Sequence, residues 1–191
     1  MIFVTVGSQT PFDRLIRAVD EWAYANARLD VFAQIAATTY RPEHIKFTNF
    51  LTPTEFAESV QRCSVIVAHA GMGTIISALE LGKQVVVMPR RASLHETRND
   101  HQVATAQSFG AQGRIIVAND EYDLPRKLEY ASSLGDANRI ATEASPLLLA
   151  TIRDFLEQYP HQLDSSVTRN HAEHNPGVDA KSGVFRGHHH S

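Results

Sequence analysis

The chain alternates short apolar runs with amphipathic stretches. Residues 2 to 6, IFVTV, form a β-branched run that stops at Gly7, the pattern of a buried strand feeding a turn. Pro11 suits a first helical turn. Phe12, Leu15, Ile16, Val19, Trp22 and Ala23 then recur at helical spacing, with Asp13, Arg14, Arg17 and Asp20 between them. Further strands are predicted at 30–36, 45–50, 64–69, 84–89 and 113–118, and helices at 53–62, 73–81, 99–109, 121–133 and 138–158. Strands alternating with helices predict an α/β fold, a doubly wound, Rossmann-like parallel sheet covered on both faces.

The pattern breaks after Tyr159. The remainder is polar, poor in large apolar residues, and holds six of the ten histidines. The expected organisation is therefore one domain over 1–158 and a disordered His-rich tail over 159–191. Its terminal HHH is expected to be no metal site, because a metal centre needs a pre-positioned shell. A length of 191 residues, 43% of them apolar, suits a single core. A formal charge of −3 gives no long-range attraction for nucleic acid. Cys63 stands alone, the amino terminus lacks a charged leader with a long apolar stretch, and no run of about 18 apolar residues occurs. A cytoplasmic location is expected, with any membrane association peripheral.

In an open α/β sheet, ligands bind where strand carboxyl ends and helix amino termini converge. Three such ends carry suitable residues. The first is GSQTPFD, where Gly7 permits an unusual turn and Ser8 and Gln9 follow ahead of a helix. The second is HAGMGT, where Gly71 and Gly73 allow close backbone approach beside His69, Met72 and Thr74. The third is the polar loop MPRRASLHETRNDHQ. Together they could surround a nucleoside diphosphate and its substituent.

Other motifs fit poorly. GMGTII has Ile76 where the dinucleotide fingerprint needs its third glycine, which weakens a nicotinamide reading. Gly82 and Lys83 resemble the end of a P-loop, yet Ser77 and Gln84 stand where glycine and Ser or Thr belong. Ser8 lies outside any G-x-S-x-G, and Cys63 reads as a small core residue. His69 either hydrogen-bonds a loop backbone or faces the ligand. Asn99, His101 and Gln102 can cap a helix, and their neutral amide and imidazole groups also suit sugar hydroxyls, which both donate and accept.

FVTVGSQTPFDRLI, HAGMGTIISALELGKQVVVMPR and NDHQ, in this order, resemble the carboxyl-terminal, nucleotide-sugar-binding domain of family 28 glycosyltransferases. Within that family the likeness is to the stand-alone PssE-like subunits of bacterial exopolysaccharide synthesis. It extends to the catalytic subunit of the eukaryotic two-subunit N-acetylglucosaminyltransferase of lipid-linked oligosaccharide assembly. The resemblance implies half of a GT-B enzyme, binding the UDP-sugar donor while a membrane-associated subunit supplies the acceptor-binding half. It implies that Gly7, Ser8 and Gln9 face the diphosphate and that Phe50 and Leu51 line the uracil pocket. By the same resemblance Gly71, Met72, Gly73 and Thr74 hold the diphosphate and ribose side, while Asn99, His101 and Gln102 meet the sugar. Ser77 departs from the glutamate that relatives carry for the ribose, with Glu80 one turn further on.

The expected function is thus UDP-sugar-dependent transfer, inverting and without a metal or other cofactor, to a lipid-linked or polysaccharide acceptor, with the general base supplied by the partner. The rival readings are a non-catalytic nucleotide-sugar sensor or scaffold and a nicotinamide oxidoreductase. An isolated half-enzyme is expected to be nearly inactive and could pair with itself through apolar faces left exposed. Arg90, Arg91 and Arg98 precede NDHQ. One of them could grip the carboxylate of a uronic acid such as glucuronate; alternatively they hold the loop, contact phosphate, or meet a partner or lipid surface.

Overall fold

The computed structural model describes residues 1–134; the predicted helix at 138–158 and the tail lie outside them. Six strands, β1 (Ile2–Thr5), β2 (Val31–Gln34), β3 (Lys46–Thr48), β4 (Val65–Ala68), β5 (Gln84–Val87) and β6 (Ile116–Val117), pair in parallel in the order β3-β2-β1-β4-β5-β6. Five helices connect or follow them: α1 (Asp13–Ala25), α2 (Pro53–Arg62), α3 (Met72–Glu80), α4 (His101–Ala111) and α5 (Leu124–Ser133). This is the doubly wound, Rossmann-like sheet that the alternation predicts.

The four central residues of β1 and of β4 are all buried, as a strand covered on both faces requires. Right-handed crossovers put α1 and α5 on one face and α2, α3 and α4 on the other. On the first face Ile2 and Val4 join Leu15, Ile16 and Val19 of α1 and Leu124 and Leu128 of α5. On the second, Phe3 stacks on Phe32 at 6.1 Å between centroids and meets the edge of Phe56 of α2 at 5.6 Å.

Three local outcomes differ from the sequence reading. Pro11 precedes α1 rather than entering it, because Phe12 gives its N–H to the Thr38 hydroxyl at 3.2 Å and serves as the N-cap. β6 is shorter than predicted: Gly113 turns at φ +66 and only Ile116 and Val117 pair with β5. Asp20, which falls among the polar positions of α1, is fully buried. Its carboxylate accepts the Tyr40 hydroxyl at 2.8 Å and the N–H groups of Glu43, His44 and Ile45 at 3.0, 2.9 and 3.1 Å, pinning the loop ahead of β3.

Candidate functional site

β1 and β4 lie side by side at the middle of the sheet, and the chain leaves them in opposite directions, β1 toward β2 and β4 toward β5. The crevice outside their carboxyl ends is where such sheets bind ligands. Thr5 is level with Ala68, so the turn at Gly7 and the turn at His69 open side by side.

The first turn is shaped by a buried polar pair. Thr5 donates its hydroxyl to Gln34 Oε1 at 2.6 Å and accepts the Gly7 N–H at 3.2 Å, while Gln34 Nε2 donates to the Gly7 carbonyl at 3.0 Å. Gly7 takes φ +76, a conformation that costs glycine alone nothing. Ser8 and Gln9 beyond it are exposed.

The second turn is built around an imidazole. A Cβ on Gly7 would stand 2.8 Å from His69 Cε1, and one on Gly71 would stand 2.3 Å from His69 Nε2. The ring therefore fills the space between the two glycine turns. Burial, then the nearby charge of Arg90, push its pKa down to about 4, against a weaker opposing hydrogen bond with the Thr5 backbone. His69 is neutral near pH 7.

Gly71 is the N-cap of α3 and has no side chain to cap with. Ile75 N–H reaches the Gly71 carbonyl at 3.2 Å, which leaves the amides of Met72, Gly73 and Thr74 at the open end of the helix. A Cβ on Gly73 would meet nothing within 4 Å. The result is an anion-receptive helix end with room in front of it.

The third loop is held by three sets of bonds. Arg14 of α1 grips Glu96 with two parallel bonds of 2.8 Å and reaches Glu121 at 2.8 Å. Burial pulls the Arg14 guanidinium down, but the two carboxylates outweigh it and hold its pKa above the ordinary value. Glu96 also accepts the Arg91 N–H at 3.0 Å, and Asp100 accepts the Ala92 N–H at 2.9 Å. Asn99 accepts the His101 N–H at 3.3 Å, and Gln102 Oε1 accepts the Arg90 N–H at 3.1 Å.

The three candidate arginines separate clearly. Arg90 is 4% exposed and gives Nη2 to the carbonyls of Val6 at 2.8 Å and Thr10 at 2.6 Å. Arg91 gives Nη2 to the Asn119 carbonyl at 2.6 Å. Both guanidiniums thus hold loop segments through backbone carbonyls. Arg98 is exposed, with no hydrogen bond or ion pair among the described residues.

The first and third loops, and His69 with Gly71, Met72, Gly73 and Thr74, thus share one edge of the sheet. Phe50 and Leu51 lie just past β3, two strands from β1; Phe50 is 58% exposed, open for stacking. Ser77 is half-buried on α3 and Glu80 is exposed at its end. Among the described residues no three His, Cys, Asp or Glu side chains are placed to hold a metal, and no helix is long and apolar enough to cross a membrane. Sequence reasoning missed Thr5, Gln34, Arg14, Glu96 and Glu121 as shapers of the site. Thr5 and Gln34 left a signal, each as a polar residue inside an apolar run.

The glycosyltransferase family 28 C-terminal domain matches residues 1–158. The chain belongs to that family. It is 21% identical over 136 residues to the UDP-N-acetylglucosamine transferase subunit ALG13 of Yarrowia lipolytica, covering 63% of this chain and 65% of the relative. It is 27% identical over 125 residues to the human protein of the same name, covering 60% of this chain and 11% of the relative. The chain thus spans less than two thirds of the curated relatives it matches. Both relatives are named as transferase subunits, and neither name speaks of exopolysaccharide. The NMR solution structure of ALG13 superposes with TM-score 0.55 at 16% identity, over 80% of this chain and 96% of that one. CalG4, the calicheamicin glycosyltransferase, superposes with TM-score 0.51 at 15% identity, over 85% of this chain but only 42% of that one. A putative UDP-N-acetylglucosamine 2-epimerase from Listeria monocytogenes reaches 0.52 at 12% identity, over 84% of this chain and 45% of that one. These likenesses carry the family 28 fold and leave the chemistry to the site.

Proposed function

We propose that this family 28 domain is the UDP-sugar-binding subunit of a two-component, inverting glycosyltransferase. It serves a lipid-linked or polysaccharide acceptor in exopolysaccharide synthesis. The observation that carries this reading is the pair of glycine turns closed around a neutral imidazole, beside the uncapped end of α3. Met72, Gly73 and Thr74 amides aimed at a diphosphate stabilise the charge that grows on departing UDP, without a metal. His69, neutral, adds a hydrogen bond at the same place and no charge. Exposed Asn99 and His101 and the half-buried Gln102 then meet the sugar hydroxyls.

The acceptor hydroxyl must lose a proton to a base. His69 is wedged between Gly7 and Gly71, Glu96 is gripped by Arg14, and Asp100 is engaged with Ala92. The base therefore belongs to a membrane-associated partner that brings the acceptor, with this chain docked at the cytoplasmic surface. Arg98, the uncommitted cation of the third loop, favours a donor with a carboxylate, a uronic acid such as glucuronic acid.

Calorimetry with UDP, UDP-glucuronate, UDP-N-acetylglucosamine and UDP-glucose tests the donor, with NADH as the comparison. Expected is binding of UDP and its sugars with none of NADH; binding of NADH alone overturns the reading. Arg98→Ala should weaken UDP-glucuronate selectively, and equal weakening of all three sugars removes the uronic acid. Transfer of labelled sugar to a lipid extract should need membranes as well as this chain. Efficient transfer by the chain alone to a soluble acceptor refutes the two-component arrangement, and UDP-sugar binding with no transfer in any combination favours the sensor.

A further inference from the structure

Arg90 is a buried cation whose guanidinium hydrogen-bonds two neutral carbonyls. Leaving a guanidinium 4% exposed without a bonded carboxylate is costly, so its environment must use it well. One nitrogen, Nη2, bonds the carbonyls of Val6 and Thr10, the two ends of the loop that carries Gly7, Ser8 and Gln9. The guanidinium carbon sits 4.9 Å over the Phe12 ring, a third anchor at the start of α1. The backbone N–H of the same residue holds Gln102 Oε1, which orients that amide at the start of α4. Two further links run through charge: the Glu96 carboxylate favours the buried guanidinium, and the guanidinium disfavours a proton on His69, whose ring lies against Gly7 and Gly71. A residue just past β5 therefore holds the loop that follows β1 and acts by charge on the side chain that fills the turn after β4.

We infer that Arg90 is a positioning residue for donor binding: its guanidinium clamps the Val6–Thr10 loop in the geometry the nucleotide-sugar needs, without touching the donor itself. This rests on the UDP-sugar reading above. Arginine suits the task, because one guanidinium nitrogen serves both carbonyls while the guanidinium carbon lies over the Phe12 ring. A lysine ammonium is a point charge and an alanine offers nothing.

The test compares Arg90→Ala and Arg90→Lys with Val60→Ala, a core change in α2 remote from the site and 1% exposed in the wild type. UDP affinity by calorimetry, melting temperature, and the amide spectrum of Gly7–Thr10 with the Gln102 side-chain amide are read for each. Expected for Arg90→Ala is a loss of about tenfold or more in UDP affinity, with shifted Gly7–Thr10 signals and an unshifted Gln102 amide, whose bond to the backbone N–H of residue 90 the variant keeps. Guanidinium ion at sub-denaturing concentration should restore part of that affinity, and Arg90→Lys should lie between alanine and the wild type. Val60→Ala should lower the melting temperature and leave UDP affinity unchanged.

Unchanged UDP affinity in Arg90→Ala, or a loss no greater than in Val60→Ala with no rescue by guanidinium, overturns the inference. Should the alanine variant not fold, Arg90→Lys carries the test: unaltered loop signals and wild-type affinity refute it. Failure of the wild-type chain to bind UDP strikes the underlying reading instead. The spectra then decide the clamp alone, which falls if the Gly7–Thr10 signals of Arg90→Lys match the wild type.

Discussion

Gly71→Ala isolates the contact on which the second turn depends. Gly71 has φ −89 and ψ 126, values that alanine adopts without strain, so its backbone gives no reason for glycine. The obstacle is the His69 ring, 2.3 Å from the new Cβ at Nε2 and 2.9 Å at Cε1. An ordinary contact needs roughly 1 Å more, and the ring is backed by Gly7 on its other side. Overpacking of this kind costs about 1–3 kcal/mol, which lowers the melting temperature by about 2–12 °C at about 2–4 °C per kcal/mol. In a His69→Ala background the same change meets no ring and should be neutral or stabilise by up to about 1 kcal/mol, as glycine-to-alanine changes do at compatible positions. Urea unfolding of the wild type, the two single variants and the double variant closes the cycle and yields the coupling directly. A coupling below about 0.5 kcal/mol would refute the account, because the cost of alanine would then not come from the imidazole.

Gly73→Ala should do the reverse of Gly71→Ala. Its Cβ enters open space on α3, so stability should rise by about 0.5–1 kcal/mol while UDP affinity falls, and a gain in both shows that nothing approaches the helix there. His69 takes its proton far lower in the fold, at about 4, than in the unfolded chain at about 6.5. Between those values the unfolded state binds more protons, so stability is constant above pH 6.5, falls as pH drops toward 4 by at most about 3 kcal/mol, then levels. Urea unfolding across that range should show a shallower slope for His69→Asn, and equal slopes count against the buried neutral imidazole. Asp20→Ala leaves three N–H groups and the Tyr40 hydroxyl without their acceptor and should cost about 3 kcal/mol or more, read as a drop in the urea midpoint; a loss under about 1 kcal/mol means water replaces the carboxylate there.

Where a segment's burial follows from its own residues, the sequence alone reveals it. α2 falls at its predicted limits because Thr52 and Glu55 make a reciprocal capping box around Pro53, all of it local. The two glycine turns are visible for the same reason, each following an apolar run. Long-range partnerships leave no such trace. Arg90 and Arg91 look alike beside Arg98, and only the arrival of Val6, Thr10 and Asn119 carbonyls from distant segments separates them. Asp20 sits at a position that reads as a solvated face, yet the loop of residues 40 to 45 folds over it and supplies four donors. Gly71 reads as a glycine for a ligand, while its nearest neighbour is the chain's own histidine.

The order of strands in the sheet also governs how the chain emerges from the ribosome. β1 is synthesised first but lies in the interior, between β2 and β4. Val31–Gln34 can satisfy one side of it early, whereas Val65–Ala68 must still be translated, a delay of about 3–12 s for about 60 residues at about 5–20 residues per second. Through that interval Ile2–Thr5 carries an open row of N–H and C=O groups along an apolar strand, the kind of edge that templates aggregation. A nascent chain halted before Val65 is therefore a natural client for a holding chaperone, while release from that dependence comes with the pairing of β4, which also brings His69 to the turn at Gly7.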